Sequence, residues 1–160
     1  GGLDKVVELL HRDPENGGCP WTAKCSAEEM IRFTFSEVEE VQEALHYLLQ
    51  QQAKKEDGDK GSKEQAVRAL EGELGDLMFN ALMLLQVCRK NHGTDPAKVL
   101  SGAAAKVVRR TPYMHAWRFV HRACPICTAR PCQCPVVVTS KVAQGLWKTQ
   151  KALEKKRNGK

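Results

Sequence analysis

The sequence predicts an all-α fold, a helical bundle with one small Cys-rich insertion before its last helix. Long stretches repeat apolar residues at the 3.6-residue helical period. Leu, Val, Ala, Glu and Lys dominate, and aromatic residues make up only 6% of the chain, a helix-rich balance. Helix start and stop signals punctuate these stretches at the spacing of a few long helices. At 160 residues, a single domain spanning residues 1–160 is expected, with residues 121–136 as the insertion.

A short amphipathic helix is expected from Leu3 to His11. "RDPENGGCPWT" (Arg12 to Thr22) is dense in turn formers and reads as a loop. Ser26 and Glu29 form a capping box that opens a long helix to about Ala53, with Val38, Val41, Leu45, Leu48 and Leu49 as its apolar stripe. "KKEDGDKGSK" (Lys54 to Lys63) is a charged linker. A second long helix covers Glu64 to Arg89, with Leu74, Leu77, Met78, Ala81, Leu82 and Leu85 on one broad side, and Asn91 to Gly93 end it. The short linker predicts that these two helices pack antiparallel. Thr94 or Asp95 can cap a third helix with Pro96 at its first position, running to Arg110 and stopping before Pro112. Residues 111–135 read as irregular and "VVVT" (Val136 to Thr139) as a short strand. A last helix starts at about Ser140 and ends in the basic, frayed tail "LEKKRNGK".

Lys and Arg number 25 against 19 Asp and Glu, a formal charge of +6 that favours an anionic partner: a nucleotide, a nucleic acid or an acidic membrane surface. No apolar run is long enough to cross a bilayer and no signal peptide is read, so an intracellular, cytoplasmic protein is expected. The opening Gly-Gly, without Met, fits a trimmed chain and leaves an organelle open. Four of the seven cysteines crowd between Cys124 and Cys134, which suggests a metal site in a reducing compartment.

Glu73 and Asp76 are three residues apart at the entrance of an apolar helix, so they share one face. Glu37 and Glu40 repeat that spacing beside Val38 and Val41 on the preceding helix. Antiparallel packing lets the two pairs converge, and four carboxylates suit a hard divalent ion, Mg²⁺ or Mn²⁺, that completes its coordination with water and substrate phosphate. Spacing alone equally permits four solvated acids on helix surfaces.

From about Leu10 to Arg110 the chain resembles the MazG family of all-α nucleoside triphosphate pyrophosphohydrolases. "RDPENGGCPW" is similar to the family's RDPENGCPW loop with one extra Gly, and "SEVEEVQEAL" to its Glu-Glu-x-x-Glu helix. "GELGDLMFNAL" is similar to its ELGDLLF segment, and "KVVRRTPYMH" to its Lys-x-x-Arg-Arg-His-Pro-His stretch. The resemblance implies water attack on the α-phosphorus of a nucleoside triphosphate, non-standard or deoxy forms included, releasing a nucleoside monophosphate and pyrophosphate. It assigns metal binding and catalysis to Glu37, Glu40, Glu73 and Asp76. It assigns substrate contact to Lys106 and Arg110, and to Trp147 and Lys151 on the last helix. It also implies a homodimer or homotetramer, with the active site built across packed helical subunits.

The same residues have plainer readings. Lys106 and Arg110 sit where a helix C-terminus favours positive charge, and Trp147 can anchor the last helix. Arg109 faces differently, Trp21 reads as loop packing, and His115 and His121 have no partner that compels a catalytic role. The chain also departs from the family: Ser36 stands in place of the first Glu of the Glu-Glu pair, Thr22 in place of an Asp, and Thr111 in place of a His. The gap between Glu40 and Glu73 is longer than usual.

"CPICTARPCQC" places Cys124, Cys127, Cys132 and Cys134 as two close pairs able to wrap one structural Zn²⁺, with His121 as a substitute ligand. Reduced or disulfide-linked cysteines are the alternative, and the family pattern has no such cluster. Cys19, Cys25 and Cys88 read as isolated, buried or semi-buried residues. The competing function is a non-catalytic adaptor containing zinc, binding nucleic acid or sensing nucleotides. Net charge, the cysteine module, the Lys-rich tail and Ser36 speak for it. It leaves the four matched acids unexplained, so nucleic acid is not the expected partner.

Overall fold

The computed structural model describes residues 2–53, 60–111, 114, 139–157 and 159. Among them the regular structure is helical: α1 (Leu3–Leu10), α2 (Ala27–Ala53), α3 (Lys60–His92), α4 (Pro96–Arg110) and α5 (Ser140–Arg157), with 3₁₀ turns at Pro14–Asn16 and Thr22–Lys24. Val136 to Val138 of the expected strand, the cysteine module Cys124, Cys127, Cys132 and Cys134, and His115 and His121 lie outside the described residues, while Thr139 is described and is not in a strand. The chain divides into two compact units, Gly1–Pro96 and Ala97–Lys160.

In the first unit, local chemistry sets the helix ends. The Glu29 amide donates to the Ser26 hydroxyl (3.1 Å) while the Ser26 amide donates to the Glu29 carboxylate (2.8 Å), a complete capping box. Gly93 (φ 67°) stops α3 in the left-handed region, and its amide reaches the Arg89 carbonyl at 3.1 Å. The start of α3 differs from expectation. The helix begins at Lys60, not Glu64, taking in Gly61 and Ser62, and the Ser62 hydroxyl lies 3.4 Å from Gln51 Oε1 across the hairpin. A contact made only on folding thus accompanies helix in residues of weak helical propensity.

The loop between α1 and α2 is tied at several points. Thr22 donates its hydroxyl to the Leu10 carbonyl (2.7 Å), which also accepts the Cys19 amide (2.9 Å), and Lys90 of α3 donates to the Ala23 carbonyl (2.8 Å). The doubled glycine of this loop is used twice over. Gly17 adopts φ 82°, and a Cβ on Gly18 would fall 1.8 Å from the Arg12 carbonyl oxygen. Trp21 is largely exposed instead of packed within the loop, its ring centroid 5.8 Å from that of Phe33.

Helices α2 and α3 run antiparallel. Contacts pair Gln51 with Ser62, Glu37 with Asn80 and the Ala23 carbonyl with Lys90, one number falling as the other rises. The core lies at the open end of this hairpin, where Val7, Cys25, Ala27, Met30, Met83 and Val87 are buried, with Leu10, Phe79 and Leu82 against them. The expected stripes are only partly inside. Leu48 is buried, but Val38, Leu45, Leu49, Leu74 and Met78 are exposed, because two helices in contact cover one narrow seam of each.

In the second unit, α5 opens at Thr139, whose side-chain oxygen accepts the Val142 amide (3.4 Å). The helix continues through Lys155 and Lys156 to Arg157, so most of the tail expected to fray is helical.

Met83 is fully buried at the centre of the core. Met83→Ala should therefore cost about 2–5 kcal/mol of stability in a urea titration of the full chain. A loss below about 1 kcal/mol would show that this pocket is not sealed.

Candidate functional site

The hairpin register brings Glu37 of α2 beside Glu73 and Asp76 of α3. Each offers a carboxylate oxygen, and these oxygens all lie within 4.8 Å of one another. Glu37 and Glu73 are half-buried and Asp76 is exposed, so the cluster sits at a surface that water and an anion can reach. Burial first, and then the charges of Glu40 and Asp76, push the Glu37 carboxyl above the ordinary glutamate range. A donor opposes that shift: Asn80 Nδ2 donates to Glu37 Oε1 at 2.9 Å. Asn80 is itself buried. One oxygen of Glu37 is thereby fixed, and the rotation of its carboxylate with it.

Glu40 does not join this cluster. It lies one turn further along α2, exposed, with Oε1 accepting the Ser36 hydroxyl at 3.3 Å. The serine in place of an expected acid gives Glu40 a partner on its own helix. Glu40 still acts on the cluster through its charge on Glu37.

In the second unit one cationic candidate, Arg110, meets an acid, Glu154, together with Arg109. Arg109 Nε donates to Glu154 Oε1 (2.7 Å), while Arg110 donates to Oε2 through Nε (2.9 Å) and a terminal nitrogen (2.6 Å). Arg109 also reaches Oε1 with a terminal nitrogen at 2.6 Å. Each arginine thus presents two nitrogens to one carboxylate oxygen, a dense charge-assisted arrangement. The Arg110 guanidinium also lies over the Trp147 ring, 5.3 Å from its centroid. Trp147 lines an open cavity of about 290 Å³ with Ser140, Ala143, Gln144 and Lys148. Lys106 and Lys151 are exposed. Lys106 and Arg110 therefore do not project as an equivalent pair, since Arg110 is committed to Glu154 and Arg109 shares that acid.

The sequence profile of the MazG nucleotide pyrophosphohydrolase domain matches residues 25–115, more than half of the chain and all three clustered acids. The chain belongs to this family. It is 28% identical over 116 residues to the nucleoside triphosphate pyrophosphohydrolase of Escherichia coli strain K12, and equally to that of Escherichia coli O157:H7. The aligned part is 71% of this chain, and the chain spans 37% of the length of those curated relatives. The fold is similar to that of a mazG-related protein from Thermotoga maritima, with a TM-score of 0.61 over 94% of this chain and 96% of that one. At 24% identity that likeness speaks to the fold alone.

Two residues of this MazG chain were not legible as functional. Asn80 stands four residues after Asp76, so the helical period could have placed it on the acidic face, but its bond partner is 43 residues away. Glu154 reads as one acid in a Lys-rich tail, and its clamp on Arg109 and Arg110 exists only when α5 meets α4.

The two arginines hold the Glu154 carboxyl below the ordinary glutamate range, Arg110 foremost. Its ion pairs therefore stabilise the fold above that range and are lost as pH falls through the depressed value. Glu154→Gln should lower the melting temperature at pH 7 and flatten the acid limb of a helical circular dichroism melt series. Parallel acid limbs in the two proteins would count against this assignment.

Proposed function

We propose that the chain hydrolyses nucleoside triphosphates to nucleoside monophosphate and pyrophosphate with Mg²⁺ or Mn²⁺ as cofactor. The observation that carries this reading is the Glu37–Glu73–Asp76 cluster inside the segment that matches the MazG domain. Three acids so close repel one another, and an all-oxygen donor set of this charge is chemically suited to a hard divalent ion. A bound ion would acidify water and neutralise phosphate charge. Glu37, Glu73 and Asp76 would hold it, with Glu40 adding negative charge nearby and Asn80 fixing the Glu37 carboxylate. Water attacks the α-phosphorus, the bond to the bridging oxygen breaks, and pyrophosphate leaves with that oxygen.

Nucleotide contact is assigned to Lys106, Arg110, Trp147 and Lys151 from the family pattern. Arg110, held by Glu154 and stacked on Trp147, is preorganised for a planar anionic or aromatic group. Residues 1–160 are read as one catalytic domain, intracellular, with residues 121–136 as an insertion carrying a structural Zn²⁺ on Cys124, Cys127, Cys132 and Cys134.

A homodimer or homotetramer completes the reading. Ile31, Phe35, Val38, Leu45 and Leu49 form a second apolar stripe on α2, exposed and next to the buried face of Met30 and Leu48. So long an apolar stripe suits a second copy of the chain. Light scattering of the purified protein reads this directly, and a monomer at working concentration would refute it.

Hydrolysis is tested by pyrophosphate release from a panel of ribo- and deoxyribonucleoside triphosphates with Mg²⁺. Glu73→Gln should lower the rate at least about 100-fold, the scale of losing a metal ligand. Asn80→Leu, folded by circular dichroism, should bind Mn²⁺ about 10- to 100-fold more weakly, the usual effect of removing a partner that orients a ligand. Release that is indifferent to Glu73→Gln would refute the enzyme reading. Unchanged Mn²⁺ affinity in Asn80→Leu would confine Asn80 to packing.

A further inference from the structure

We propose that helix α5 carries a second binding surface, one that takes the phosphate backbone of a nucleic acid. Charge is segregated along the chain. Residues 1–96 hold 11 Lys or Arg against 18 Asp or Glu, a formal −7, whereas residues 97–160 hold 14 against one, a formal +13. That one acid is Glu154, and both of its oxygens are occupied by Arg109 and Arg110. No other acidic side chain in residues 97–160 is available to the remaining cations.

Five of those cations share one face of α5. Lys141, Lys148 and Lys155 recur every seven residues, close to two helical turns, with Lys151 and Lys156 flanking them, and all five are exposed. Ala143, Leu146, Trp147, Gln150 and Glu154, all less exposed, occupy the opposite side. Like charges along one helix face repel one another and destabilise the helix, so a polyanion laid along the stripe removes a cost that is otherwise built into it. From Lys141 to Lys155 the stripe is about 21 Å long at 1.5 Å per residue. One strand of a duplex presents roughly six phosphates over that distance.

The type of cation narrows the mode of binding. Lysine is a point charge that positions a phosphate backbone without reading bases, so the surface is sequence-independent. A single triphosphate is too short to span the stripe. An anionic bilayer fits less well, because a helix lying in a membrane interface needs a broad apolar face beside its cations. On α5 that side carries Glu154, and Trp147 is engaged by Arg110.

The test is fluorescence anisotropy of the full chain with a labelled 20-nucleotide single-stranded RNA between 50 and 200 mM NaCl. Five phosphate contacts predict a slope of about −3.5 in log K against log salt, hence roughly 100-fold weaker binding across that range. Replacing Lys141, Lys148, Lys155 and Lys156 together by Gln should reduce the slope by about 3, with helical circular dichroism and pyrophosphate release unchanged. The milder pair Lys148→Gln and Lys155→Gln should remove about half of that slope if the fourfold variant folds poorly. Glu73→Gln should bind RNA like the wild type, which separates this surface from the hydrolytic reading. Three outcomes would each overturn the proposal: an unchanged slope in the lysine variants, binding of phosphatidylserine vesicles but not RNA, or salt-sensitive self-association through the acidic residues 1–96 in place of RNA binding.

Discussion

Three carboxylates held within 4.8 Å of one another constrain everything else in the first unit. Their mutual repulsion opposes the pairing of α2 with α3, and the burial of Glu37 adds a desolvation penalty. The opposing contributions lie mostly away from the acids. Met30, Met83, Val87 and Val7 are buried at the open end of the hairpin, the Lys90–Ala23 hydrogen bond ties the preceding loop to α3, and the capping box sets where α2 begins. The core can then hold a register that the site by itself would push apart. Asn80 acts at the point of conflict, satisfying one oxygen of Glu37. In the proposed active form Glu37, Glu73 and Asp76 would hold a divalent ion that would relieve the remainder, which would couple ion binding to hairpin stability through the same charges.

The second unit resolves the opposite imbalance by other means. Its one acid lies between two arginines and draws one of them over Trp147, which organises the α4–α5 contact around a single carboxylate. Lys141, Lys148, Lys151, Lys155 and Lys156 of α5 are exposed to solvent. One chain thus carries a cluster of excess negative charge suited to a metal and a stripe of excess positive charge suited to a polyanion. The acids meet across the seam of α2 and α3, whereas the lysines share one face of α5.

Helix α2 shows why periodicity is an incomplete guide to burial. Its apolar residues occupy two adjacent faces. Met30 and Leu48 turn inward, while Ile31, Phe35, Val38, Leu45 and Leu49 turn outward. A sequence reading merges these into one broad stripe, because neighbouring faces of a helix differ by a single residue of offset. Only the position of α3 decides which of them is covered within one chain.

What the sequence by itself determined is what depends on neighbours within a turn or two of helix. The helical class, the Ser26–Glu29 capping box, the stop at Gly93, the start at Pro96 and the i,i+3 pairing of Glu73 with Asp76 are of this kind. Motif order was legible as well, and with it the MazG family. Tertiary structure decided what depends on distant partners. The start of α3 at Lys60 lies beside a contact with Gln51, and Asn80 gains its role from Glu37. Glu154 gains its role from two arginines more than forty residues earlier. The separation has one physical cause. A hydrogen bond or ion pair between residues far apart in sequence forms only after the chain has met the entropy of bringing them together, and that depends on the whole packed unit, not on any local spacing.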